Sequence, residues 1–172
     1  MSAKVGNAGE YYVMSRLLMM GCDVGLADRG NPVFDLLLRT GPSAFKAIRV
    51  KTSTADDFKW TAKEELNPLP GFNQKHSDPD DMAVLVAFNH KPPGVSTEVY
   101  VMPTTQLVHD INAVHIHYNS FKNRDGSDRK ESRMRVIRLQ GKKRTENIAY
   151  GYQDEWKNYH EAWHLLGIGT GK

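Results

Sequence analysis

Two apolar runs stand close together near the front of the chain, Val33 to Arg39 and Phe45 to Thr52. Gly30-Asn31-Pro32 precedes the first and Gly41-Pro42-Ser43 separates the two. Short apolar runs bounded by turn residues predict adjacent β-strands joined as a hairpin. Because side chains alternate faces along a strand, Val33, Asp35, Leu37 and Arg39 share one side, and Phe45, Ala47, Arg49 and Lys51 share one side of the next. If those sides coincide, Asp35, Arg49 and Lys51 converge on one surface, turned toward the helix that precedes them. Core packing alone would not choose three charges on one surface, so chemistry is expected here.

The preceding helix is predicted over about Ala3 to Met20, with Ser2 as N-cap, Gly21 as terminator, and Gly6, Glu10, Val13, Leu17 and Met20 along one stripe. Glu10 thus sits on or beside a core-facing stripe, where an unpaired carboxylate is too costly to keep. Lys51, Arg49 or a metal would serve as its partner, and a plain structural salt bridge to Arg49 is the simplest arrangement. Further along, Cys22 to Ala27 reads as a short strand and Phe58 with Trp60 as another. The latter lies within the acidic, proline-broken stretch Ser53 to Asp81. Met82 to Phe88 is an unbroken apolar run, the pattern of a central strand. A turn at His90 to Gly94 leads to a strand over Thr97 to Met102. A helix then starts at Pro103-Thr104-Thr105 and carries Leu107, Val108, Ile111 and Val114 on one side. Met134 to Leu139 reads as an edge strand. Finally Tyr152, Trp156, Tyr159, Trp163 and Leu166 fall on one helical face capped by Gly167, which predicts a last, core-packed helix. The sum is an α/β protein: a mixed sheet with helices on its faces.

A chain of 172 residues, 40% hydrophobic, supports one core and one domain spanning 1–172. Its single cysteine, Cys22, permits no internal disulfide and no zinc-finger spacing, as in a reducing cytoplasm. No apolar run is long enough to span a bilayer, and Glu10 with neighbouring glycines stands where a signal peptide has its apolar core. The net charge is +3, but its distribution is uneven. Lys122, Arg124, Arg129, Lys130, Arg133, Arg135, Arg138, Lys142, Lys143 and Arg144 face only Asp125, Asp128 and Glu131, so this segment carries +7 and the remainder −4. Such a split fits a polyanion partner, and a solvated loop that confers only solubility fits it equally.

Glu10 on the first helix, Asp35 on one strand and Lys51 on the next resemble the PD-(D/E)XK nuclease superfamily, the restriction-endonuclease-like fold that includes archaeal Holliday-junction resolvases. The resemblance runs from about Val5 to Pro103, with Gly6-Asn7-Ala8-Gly9-Glu10 opening the helix. It implies a restriction-endonuclease-like αβββ core followed by further strands and a C-terminal helix. It also implies action on nucleic acid, DNA ahead of RNA, in repair, recombination or defence, and a homodimer. In that family acidic oxygens hold Mg²⁺ or Mn²⁺, which activates a water and neutralises the scissile phosphate, while the lysine orients the water. The resemblance carries the metal-ligand role to Glu10 and Asp35. The sequence departs at the acid two residues before the lysine, where Arg49 stands. Glu10, Asp35, Arg49 and Lys51 sum to zero, whereas an acid at position 49 would give −2. Unit charges roughly 4 Å apart interact by about 4 kcal/mol at an effective dielectric of 20, so a divalent ion should bind weakly. Asp56, Asp57 or Glu64 could restore the missing carboxylate. Otherwise the chain is a non-catalytic binding or assembly module of the same fold.

A third reading comes from His160-Glu161-Ala162-Trp163-His164, which matches H-E-x-x-H and would make the protein a zinc hydrolase. That chemistry needs both imidazoles one turn apart on a helix. Thr170 occupies the place of a third histidine ligand. Gly167 to Lys172 has the glycines and lysine of a phosphate loop but not its strand and helix, and His109, His115 and His117 do not share one helical face.

Overall fold

In the computed structural model, residues 3–28, 34–61, 80–89, 96–129, 134–141 and 148–168 are described. Helix α1 runs Ala3–Met19. It stops where Gly21 adopts the left-handed conformation (φ +78°), and the Cys22 N–H returns to the Leu17 carbonyl at 3.0 Å. Strands β1 (Val24–Leu26), β2 (Leu36–Arg39) and β3 (Phe45–Ser53) follow as an antiparallel meander. Then come β4 (Asp57–Thr61), β5 (Met82–Asn89), β6 (Ser96–Pro103), helix α2 (Thr104–Asn119) and β7 (Met134–Arg138). The main sheet has the order β1-β2-β3-β5-β6, with β3 and β5 parallel, and a separate ribbon pairs β4 with β7. The chain is therefore an α/β protein on a five-stranded mixed sheet.

Each face of the sheet is covered by its own apolar layer. Leu36, Leu38, Ile48, Val84, Val86, Val99 and Val101 pack against Val13 and Leu17 of α1. On the other face Ala83, Leu85, Tyr100 and Met102 pack against Phe58 and Ile137 of the ribbon and Leu107 and Ile111 of α2. Burial on both faces explains why β5 reads as a continuous apolar run rather than an alternating one. The buried residues of α1 are Gly9, Val13 and Leu17, one step round from the predicted stripe, and Met20 is left exposed.

The predicted C-terminal helix does not form. The segment is instead a short helix α3 (Tyr152–Glu155), a 3-10 turn at Lys157–Tyr159, an extended residue His160 and a second 3-10 turn at Trp163–Leu166. All five stripe residues are still used, but in two places. Tyr152, Trp156 and Tyr159 join the ribbon-side core, while Trp163 and Leu166 join the α1-side core. A straight helix cannot reach both faces of a sheet. The chain crosses the β6 edge at a bridge between Tyr100 and His160, and the Glu161 N–H donates to the Val99 carbonyl at 2.9 Å. The expected turn at His90 to Gly94 lies outside the described residues.

Candidate active site

Leu36 pairs with Ile48, and the register continues to Arg39 opposite Phe45. The Asp35 N–H also donates to the Ile48 carbonyl, at 2.9 Å. Two residues of one strand therefore oppose one of the other, the geometry of a β-bulge, which bends the strand and re-aims a side chain. The Asp35 carboxylate turns along the open end of the β2–β3 pair and accepts the Val50 N–H at 2.7 Å.

Past the end of β2, β3 continues alone beside β5. Arg49 lies opposite Ala83 and Lys51 opposite Leu85, so both project from the ribbon-side face. There the Lys51 ammonium stands 5.8 Å from the Trp60 ring centroid. The expectation that Arg49 and Lys51 turn toward the first helix is corrected. Helix α1 covers the opposite face, because Ile48, Leu36 and Leu38 are the residues that bury against Val13 and Leu17. Asp35 joins the cluster through the bulge rather than through simple alternation.

Glu10 comes from a close approach of helix to strand. A Cβ on Gly9 would overlap the Thr52 Oγ1, so only glycine lets α1 settle this deep on β3. The next residue, Glu10, is thereby held half-buried beside the bulge. Burial, and then the Asp35 charge, raises the Glu10 pKa. Burial also pushes the Asp35 carboxyl up, more than the Val50 N–H and the charges of Arg49 and Lys51 pull it down. Lys51 is held below the ordinary lysine range by burial and by Arg49, with Asp35 opposing. Two carboxyls shifted up and a lysine shifted down, all chiefly by burial, are a combination that plain surface ion pairs do not produce. Gly9, Thr52, Trp60 and the Val50 N–H were not among the site residues expected from the sequence. The i, i+4, i+8 set Gly9, Val13, Leu17 was the available signal for the first of them.

The donor set does not fit a tightly held divalent ion. Among the described residues no three His, Cys, Asp or Glu side chains gather to hold a metal. Asp57, one candidate for a substitute carboxylate, pairs with Lys59 at 3.0 Å, and Glu64 lies outside the described residues. The charges of Arg49 and Lys51 act on Asp35, while Glu10 feels the Asp35 charge from the α1 side.

The basic segment divides. Arg129 stacks over Tyr118 at 4.4 Å and Arg138 over Tyr150 at 4.6 Å. Arg135 is only 7% exposed, so it does not project into solvent as a phosphate-reaching side chain was expected to. It pairs across the ribbon with Trp60 and, by alternation, shares the inward side with Ile137. Lys130, Arg133, Lys142, Lys143 and Arg144 lie outside the described residues. The zinc reading is also corrected. His160 and His164 are not on one helix face, since Glu161 between them has φ +50°. The Glu161 carboxylate accepts Arg16 at 2.8 Å and the Trp163 indole N–H at 2.6 Å, so it clamps the C-terminal segment to α1.

No protein-family model matches the chain, and no curated protein does either. Among solved structures, the chain is similar to a bacterial homing endonuclease, I-Ssp6803I, with a TM-score of 0.48 and 18% identity over 98% of this chain and 94% of that one. It is also similar to Hjc, a Holliday junction resolvase from the archaeon Archaeoglobus fulgidus, with a TM-score of 0.41 and 17% identity over 77% of this chain and 83% of that one.

Proposed function

We propose that this protein binds nucleic acid through a nuclease-type site whose metal-binding capacity Arg49 has reduced. Binding of the phosphodiester backbone then outweighs its cleavage. The observation that carries this reading is the cluster at the β2–β3 bulge, where Asp35 is electrostatically coupled to Glu10 and, separately, to Arg49 and Lys51, and the two carboxyls are shifted up. Arg49 and Lys51 supply N–H donors and charge for phosphate oxygens. Glu10 and Asp35 supply the hard oxygens for a divalent ion, which would activate a water for attack on phosphorus if it were held. The +7 segment Lys122 to Arg144 adds non-specific affinity for a polyanion, DNA rather than RNA, in a homodimer.

Fluorescence anisotropy with a labelled DNA duplex, taken across a salt series, tests the reading. Affinity should fall with salt at a slope of about −0.9 per phosphate neutralised. Arg49→Ala and Lys51→Ala should each weaken binding and flatten the slope by roughly one phosphate. Unchanged affinity and slope in the double variant would remove the bulge cluster from the nucleic-acid interface.

A further inference from the structure

A second concave site lies away from the bulge, between the C-terminal half of α2 and strand β7. It is a cavity of about 450 Å³, within the range of small-molecule sites. Arg129, Arg135 and Arg138 line it, and no carboxylate is among its described lining residues. Tyr118, Met134 and Tyr150 supply the apolar part of the wall, with Tyr118 46% and Met134 54% exposed.

The two rim arginines are held by aromatic faces, Arg129 over Tyr118 and Arg138 over Tyr150. Arg129 is fixed further by a hydrogen bond from its Nη1 to the Tyr118 carbonyl at 3.1 Å. Stacking occupies the face of a guanidinium and leaves its in-plane N–H fork for an anion. Fixing the fork in advance also removes much of the side-chain entropy that binding would otherwise cost. Two guanidiniums lining the cavity, next to exposed aromatic and thioether surface suited to a planar ring, match one ligand chemistry. We infer that this cavity binds a nucleotide, its phosphate on Arg129 and Arg138 and its base against the Tyr118–Met134 wall. The nucleotide is either free or the 5′-phosphorylated end of a strand. The inference stands on this cavity alone and does not need the bulge cluster.

Isothermal titration of the full chain at low salt with adenosine 5′-monophosphate, adenosine, inorganic phosphate and a 5′-phosphorylated trinucleotide tests it. The monophosphate should bind at least tenfold more tightly than adenosine or phosphate, because both halves of the cavity are engaged. Equal affinity for the trinucleotide identifies the free nucleotide as ligand, and tighter binding of the trinucleotide identifies a strand end. Arg129→Gln and Arg138→Gln, with circular dichroism to show the fold intact, should each lower monophosphate affinity about tenfold. The inference is overturned if neither phosphorylated ligand binds at millimolar concentration. It is equally overturned if the double glutamine variant binds as the wild type does.

Discussion

At the residue scale, Asp35 shows how a local irregularity makes a site. Ideal pairing would give the Val50 N–H to a backbone carbonyl. The bulge gives it instead to a carboxylate at 2.7 Å, next to Arg49 and Lys51. The raised pKa values of Asp35 and Glu10 mean that the folded protein favours their neutral forms. The stability they contribute is present below their unfolded pKa values and is lost as pH rises through the folded ones. Near neutral pH their ionised forms therefore cost stability. Asp35→Asn keeps an acceptor for the Val50 N–H while removing the charge. Its melting temperature should exceed that of the wild type at pH 7, and the gap should close as pH falls toward about 4. A lower melting temperature at pH 7 would show that the carboxylate is net stabilising. Gly9 gives a second test, since its missing Cβ is what lets α1 reach β3. Gly9→Ala should cost roughly 1–3 kcal/mol, as overpacking does, and lower the melting temperature by several degrees. Gly6→Ala, with open space around it, should be neutral or slightly stabilising. Equal effects at the two glycines would contradict the close approach. Asp35, Arg49 and Lys51 were legible because charges in apolar strands stand out. The bulge was not, because it is set by backbone pairing that no residue pattern near Asp35 announces.

At the scale of elements, strands and long helices followed their periodicity, and the C-terminal stripe did not. Spacing reports which residues are buried but not what they are buried against. The run from Tyr152 to Leu166 serves two cores on opposite sides of one sheet, so regular helix gives way at His160 and Glu161. The clamp there is specific: one carboxylate receives both the Arg16 guanidinium and the Trp163 indole N–H, and Arg16 also stands 5.4 Å over the Trp163 ring. Glu161→Ala removes the shared acceptor and leaves two donors without it, which should cost about 1–3 kcal/mol in urea unfolding. Glu161→Gly relieves the left-handed backbone and should recover part of that loss. If Glu161→Ala unfolds at the wild-type midpoint, the clamp is incidental. The same geometry accounts for the H-E-x-x-H match, whose glutamate is occupied in holding the chain.

At the scale of the molecule, charge and layering act together. One sheet face is sealed by α1, while the other carries Arg49 and Lys51 beneath the β4–β7 ribbon. The +7 segment includes β7 of that ribbon. The mixed sheet and the strand carrying Lys51 were foreseeable from apolar runs and turns. The direction in which that strand faces was not, because it depends on which face α1 covers, and both sides of β3 mix apolar with polar residues, Phe45, Ala47, Arg49 and Lys51 on one and Lys46, Ile48, Val50 and Thr52 on the other. In the proposed function, the charge of Arg49 acts against that of Asp35 where a divalent ion would otherwise sit. Calorimetric titration with Mn²⁺ of the wild type and of Arg49→Glu tests this most directly. The account predicts weak binding to the wild type and at least tenfold tighter binding to Arg49→Glu, lost again when Asp35→Ala is added. Tight Mn²⁺ binding by the wild type, or no gain in Arg49→Glu, would contradict it.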